Sequence, residues 1–180
     1  AKYPLLAIPM FVLVGMVFER SGVALRLVRF AVAMVGERRG GLALAAILVC
    51  MVLGGISGSG PADAAAVATV MIPGMVRAGY PAAFSASVVA AAGSTAILIP
   101  PSIAFILYSV LVPEASVPAL FAAGMLPGVL AGIALMVPVV WLSIKHGFGE
   151  ERTGDRDSKT SFWQTFKEAI WGLLAPVLIL

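Results

Sequence analysis

The hydrophobic pattern is dominated by one long run with a break at its centre. From Gly40 to Val76 the chain passes 37 residues with a single charge, Asp63. As one helix this run would measure about 55 Å, against about 30 Å for the hydrocarbon core of a bilayer. It must therefore fold back. The break is Leu-Gly-Gly-Ile-Ser-Gly-Ser-Gly-Pro-Ala-Asp, residues 53–63, rich in glycine and hydroxyls. The arms beside it, 42–54 and 62–75, hold about 14 residues each, roughly 21 Å of helix, which is short for a crossing. The pattern predicts a re-entrant helical hairpin over 41–77 with its tip inside the membrane. Non-helical backbone at that depth survives only where protein or a watery cavity satisfies it.

A second apolar stretch, 80–112, carries two interruptions, Gly93-Ser94-Thr95 and Pro100-Pro101. Proline lacks the N–H donor and disfavours helical geometry in the residue before it, so two in succession end a helix. The stretch reads as a discontinuous helix with halves from Pro81 to Ala92 and from about Ser102 to Val112. A continuous apolar span follows over 117–145, with Pro127 and Pro138 as expected kinks.

The flanks read differently. Residues 4–19 form an apolar segment taken as a membrane helix. Over 22–37, Val23, Leu27, Phe30, Ala31, Met34 and Val35 recur at helical spacing while Arg26 and Arg29 lie off that stripe, which predicts an amphipathic helix along the membrane interface. A similar short helix is expected over 162–170, and 171–180 turns apolar again, as the start of a second hairpin. This order echoes Gly22 to Val49, a weak internal repeat of the kind inverted-repeat transporters carry. Such a chain is expected to be part of a longer membrane protein.

Charge orients the path. With a re-entrant hairpin, Arg20, Arg26, Arg29, Arg38, Arg39, Arg77, Lys145, Arg152, Arg156, Lys159 and Lys167 share one face, which the positive-inside rule makes cytoplasmic. Two full crossings would leave the same assignments, so arm length and the tip's composition decide for the hairpin. The composition agrees with an all-α integral membrane protein: 61% hydrophobic and 12% charged, with mean hydropathy +1.04, where soluble domains carry about 25% charged residues. The net charge of +3 is explained by these flanking bases, and nucleic acid is not expected as a partner. One cysteine, Cys50, permits no internal disulfide and no cysteine metal site.

Candidate chemistry concentrates at the two breaks. Both are rich in Gly, Ser, Thr and Pro, and both release carbonyl oxygens that a continuous helix would use. Hard oxygens suit sodium, and half-helix N-termini suit an anionic carboxylate. Asp63 has two readings: an ion role, as expected of an acid at membrane depth, or a cap at the positive end of the second arm behind Gly60 and Pro61. Gly54 and Gly58 also have the spacing of a close-packing patch. The glycines lack the Gly-Lys-Ser/Thr of a phosphate loop, and the chain has no constellation of an enzyme.

Gly-Gly-Ile-Ser-Gly-Ser-Gly-Pro-Ala-Asp, then Met-Ile-Pro-Gly-Met-Val-Arg-Ala-Gly-Tyr, then Ala-Ala-Gly-Ser-Thr-Ala-Ile-Leu-Ile-Pro-Pro-Ser resembles the large membrane subunit of tripartite ATP-independent periplasmic (TRAP) transporters. Pro-Leu-Leu-Ala-Ile-Pro-Met-Phe near the start and Leu-Phe-Ala-Ala-Gly-Met-Leu-Pro-Gly later fit as well, so the likeness covers nearly the whole chain. The resemblance implies sodium-driven uptake of organic acids, such as a dicarboxylate or a sialic acid, across the bacterial inner membrane by a multi-pass protein. It also implies a periplasmic substrate-binding protein, a small membrane subunit and an elevator-like movement of the domain holding the hairpins. Carried onto this sequence, the sodium and substrate site falls on Ser57, Gly58, Ser59, Gly93, Ser94, Thr95, Pro100 and Pro101, with the hydroxyls of Ser57, Ser59, Ser94 and Thr95 as ion ligands. No organic cofactor is expected. The alternatives are a sodium–carboxylate carrier that needs no binding protein, and a non-transporting membrane scaffold.

Overall fold

The computed structural model describes residues 8–10, 12–13, 16–17, 21–35, 39–149 and 170. Six helices follow one another among them: α1 (Val23–Val35), α2 (Gly41–Ser57), α3 (Gly60–Arg77), α4 (Ala82–Ala96), α5 (Ile103–Leu111) and α6 (Val117–His146). The described residues contain no strand. Most of the apolar segment 4–19, and all of 162–180 except Ile170, lie outside the described residues.

α2 is the centre of the bundle. It is apolar on every side, and a helix of that kind is stable only when surrounded. Accordingly Ala43, Ala45, Ala46, Ile47, Cys50 and Ile56 are wholly buried, with α1, α3, α4 and α6 packed around them. α2 and α3 form a helical hairpin closed by Gly58 and Ser59. Their lengths, 17 and 18 residues, or about 25 and 27 Å, exceed the arms that the pattern suggests. Gly54 and Gly55 remain helical, and α3 starts at Gly60 with Pro61 inside its first turn, because a proline there lacks only a donor that would have no partner. α1 sets Ala24, Leu27, Val28 and Ala31 inward against the hairpin and leaves Arg26 and Arg29 exposed.

The hairpin returns to the end from which it starts. Gly40, just before α2, lies against α6: a Cβ there would stand 3.3 Å from that of Ser143. Beyond α3, the N–H groups of Gly79 and Tyr80 reach back to the carbonyls of Val76 and Met75, while beyond α6 the N–H of Phe148 reaches back to Ser143. These helix-ending turns throw Tyr80 and Phe148 back onto the bundle. The two rings meet with centroids 6.0 Å apart, and Phe84 packs 5.2 Å from Phe148. The base of the hairpin and the C-terminal end of α6 therefore form one end of the molecule, where Arg39, Arg77 and Lys145 are exposed.

α6 is the described helix long and apolar enough to cross a membrane. Its 30 residues give about 45 Å, and neither Pro127 nor Pro138 ends it. Its glycines face inward. Leu98 and Ile99 lie against Gly128, the carbonyl of Leu98 against Gly124, and Met51 against Gly132. Met125, Leu126, Leu130, Ile133, Val137 and Trp141 face outward and are exposed, a surface suited to hydrocarbon. Near its end the Lys145 ammonium sits 4.7 Å from the centre of the Trp141 ring, a cation–π contact.

Candidate functional site at the hairpin tip

The tip is built by three consecutive residues with different tasks. Ser57 ends α2. Gly58 then takes the left-handed conformation, φ +67°, and its N–H bonds the carbonyl of Gly54 at 3.1 Å, closing the helix. Only glycine adopts that geometry routinely. Ser59 is extended, φ −123°, and stands immediately before α3. Its N–H donates to the Ser57 hydroxyl oxygen at 3.0 Å. The Ser57 hydroxyl in turn lies 2.7 Å from each oxygen of Asp63, whose side chain is 4% exposed.

The second break faces this tip. α4 continues to Ala96, so Gly93, Ser94 and Thr95 lie in its last turns and are not unwound. The lone glycine of that helix serves close approach: a Cβ on Gly93 would stand 2.7 Å from the Cβ of Ala64 and 2.9 Å from the Gly60 carbonyl oxygen. Gly54 similarly admits Ala96, whose Cβ would be 2.7 Å away. The chain unwinds from Ile97 through Pro100 and Pro101, both wholly buried, the peptide between them being cis. Ser102 begins α5 and accepts the N–H of Phe105 at 3.4 Å.

The two breaks are joined by backbone. The N–H of Ile103 donates to the carbonyl of Gly58 at 3.2 Å, and a Cβ on Gly58 would meet the Pro101 carbonyl oxygen at 2.7 Å. The structure thus brings Gly58, Gly60, Gly93 and Pro101 together, with Ser57 and Ser59 directly beside them. Thr95 is half-buried and its hydroxyl donates to the Ala92 carbonyl. Ser94 is exposed and donates to Ala90. Donation of this kind is ordinary for helical serine and threonine, and it leaves the oxygen lone pairs as acceptors. The Ile103 N–H is the participant that the sequence does not single out, and Gly60, expected as a cap ahead of Pro61, is instead the first residue of α3 behind Ser59. Ser102, expected at the start of the second half-helix, is there: a serine directly before the apolar run of α5 is a start signal. The meeting of Gly60 with Gly93 leaves no local trace.

A cavity of about 90 Å³ opens beside the tip, lined by Ser57, Ser59 and Asp63 together with Val12, Met16 and Ala24. It has room for several water molecules. None of its lining residues comes from the α4–α5 break, so it lies on the side of the tip that faces α1.

The helices of this chain meet at their interruptions, partway along a helix long and apolar enough to cross a membrane. Comparison with known proteins gives the family. The model of the family described as "Tripartite ATP-independent periplasmic transporter, DctM component" matches residues 1–180. The chain is 47% identical over 179 residues to the C4-dicarboxylate TRAP transporter large permease protein DctM of Pseudomonas aeruginosa, covering 99% of this chain and 41% of that one. It is 45% identical over 180 residues to the isethionate TRAP transporter permease protein DctMQ of Oleidesulfovibrio alaskensis, covering 99% and 28%. Against the sialic acid TRAP transporter permease protein SiaT of Haemophilus influenzae it is 35% identical over 179 residues, again covering 99% and 28%. The chain belongs to the DctM family, the large permease component of TRAP transporters. It spans less than half the length of these curated relatives.

Proposed function

We propose that this chain is the part of a TRAP large permease subunit that carries the first hairpin and broken helix of a sodium-coupled uptake system for organic anions. The observation that carries the reading is the bond from Ile103 to Gly58. It ties two helix interruptions together beside Gly124 and Gly128 of α6, between the ends of the longest apolar helix. Polar groups left unpaired at such depth cost several kcal/mol each, and an ion with its waters relieves that cost.

Sodium is the transported coupling ion in this reading. Its ligands are the hydroxyls of Ser57, Ser59 and Thr95, with Ser94 at the margin and carbonyls from Gly58, Gly93 and Pro100. All are hard oxygens, and the protons of Ser57, Ser94 and Thr95 are donated within the protein. The relatives are named for C4-dicarboxylates, isethionate and sialic acid, which share an anionic carboxylate or sulfonate. An anion of that class is therefore the substrate, delivered by a periplasmic binding protein and moved together with a small membrane subunit across the bacterial inner membrane. The name DctMQ fits a small subunit fused to the permease in that relative. The joined tip and break are proposed to move as one body in an elevator-like step.

The test is uptake by the full-length transporter in proteoliposomes, with its small subunit and binding protein, under sodium or choline gradients. Ser59→Ala and Thr95→Ala are expected to raise the sodium concentration for half-maximal uptake severalfold while expression holds. By linkage, substrate should tighten sodium binding by the factor with which sodium tightens substrate. A loss of uptake that is equal at every sodium concentration would overturn the assignment of these hydroxyls.

A further inference from the structure

Asp63 lies outside the set of oxygens proposed for sodium, yet it is buried beside them. The carboxylate touches the tip through Ser57, whose hydroxyl is 2.7 Å from both of its oxygens. A serine hydroxyl has one proton and two lone pairs, and an ionised carboxylate only accepts. The proton therefore goes to Asp63. One lone pair of Ser57 takes the N–H of Ser59 at 3.0 Å, and the other is the one Ser57 can offer a cation.

We propose that Asp63 is a positioning residue for the tip, acting through Ser57. The carboxylate draws the hydroxyl proton to itself and so keeps the Ser57 oxygen an acceptor. That oxygen pins the Ser59 amide, and between the two lies Gly58, whose carbonyl receives the Ile103 N–H. The relay thus runs from a side chain in the first turns of α3 to the backbone bond that joins the two breaks. Sequence reading leaves Asp63 between an ion role and a cap of its own helix. The geometry points to a third role, fastening the end of the preceding helix across the turn. Hydrogen bonds to an ionised group are roughly twice as strong as neutral ones, which suits a turn that must hold its shape when the ion leaves. The functional consequence rests on the sodium reading above; the structural one does not.

Two measurements on the full-length transporter separate these. The first is hydrogen–deuterium exchange of the tip amides in nanodiscs, in choline buffer without sodium. Asp63→Ala and Ser57→Ala are each expected to raise exchange there severalfold, whereas Asp63→Asn, whose amide oxygen still accepts the Ser57 proton, is expected to stay closer to the unsubstituted protein. The second is the sodium midpoint of uptake, which should rise in the same order. Should Asp63→Ala fail to fold, Asp63→Asn keeps the sodium midpoint readable, and Ser57→Ala, itself a change at a proposed ligand, supplies the tip exchange alone. Unchanged tip exchange in the alanine variants would overturn the proposal. So would Asp63→Asn losing sodium affinity as fully as Asp63→Ala with its tip exchange unchanged, since the charge would then act on the ion directly. If uptake by the unsubstituted protein ignored sodium, the coupling reading would fall and the exchange data alone would decide the relay.

Discussion

The carbonyl of Gly58 accepts the N–H of Ile103 at 3.2 Å, so the turn that closes the hairpin is also the partner of the first turn of α5. Gly58 can do both because it is left-handed, with φ +67°, and because the Pro101 carbonyl occupies the space where a side chain would begin, 2.7 Å from its would-be Cβ. Gly58→Ala should therefore be destabilising twice over. The left-handed conformation alone costs about 1 to 3 kcal/mol for a residue with a side chain, and relieving the contact requires the tip to part from the break. The expected outcome is a lower melting temperature for the detergent-purified transporter and uptake reduced beyond what the remaining folded fraction explains. Retained stability with full uptake would show that the two breaks need not be joined.

Glycines in α3 and α4 separate close approach from mere composition. A Cβ on Gly93 would stand 2.7 Å from that of Ala64, whereas one on Gly74 would meet nothing within 4 Å. Gly93→Ala should push α4 off α3 at a cost of about 1 to 3 kcal/mol, as overpacking does. Gly74→Ala should be neutral or stabilising by up to about 1 kcal/mol, because alanine is the better helix former. Thermal melting of the two variants side by side checks this, and the order of their midpoints is the diagnostic. An equal effect at both positions would mean that helix propensity decides and the contact between α3 and α4 does not.

How much of this was legible in the sequence depended on whether the cause was local. The turn at Gly58-Ser59 announces itself, because a glycine among hydroxyls and a proline at the next helix start are chemical signals on the spot. So does the break at Pro100-Pro101. The extent of α4 was not legible: Gly93-Ser94-Thr95 reads as an interruption, yet Gly93 is helical because its missing side chain admits Ala64 and Gly60, a reason that sits some 30 residues away. The inward stripe of α1 is legible in part, since Leu27 and Ala31 are buried and Val23 and Phe30 pack against the core. Met34 is exposed while Ala24 and Val28 are buried, since small residues let α1 approach the hairpin and periodicity weighted the large ones. The fastening of Ser57 to Asp63 was hidden for a similar reason. A six-residue separation across a turn matches neither helix nor strand spacing.

The depth of the tip yields the last prediction, which concerns the side of the membrane each end faces. Gly40 lies against Ser143, and Leu98, beside the break, lies against Gly124 and Gly128. From Gly124 to Ser143 is 19 residues of α6, about 28 Å, while from Gly124 back to its start at Val117 is about 10 Å. The tip, tied to the break, thus stops short of the far end of α6, with its base level with the C-terminal end. In a cysteine-free background that includes Cys50→Ala, the exposed positions Arg39, Arg77 and Lys145 replaced by cysteine should react with an impermeant maleimide from the same side, the cytoplasmic one, where their charge places them. Glu114→Cys, in the turn before α6, should react from the opposite side. Ser59→Cys should react with neither at the rate of those exposed positions. Reaction of Arg39→Cys and Arg77→Cys, which flank the hairpin, from opposite sides would turn it into an odd number of crossings. Full reactivity of Ser59→Cys alongside Glu114→Cys would make its two arms complete spans, and either result would remove the re-entrant tip on which the proposed ion site depends.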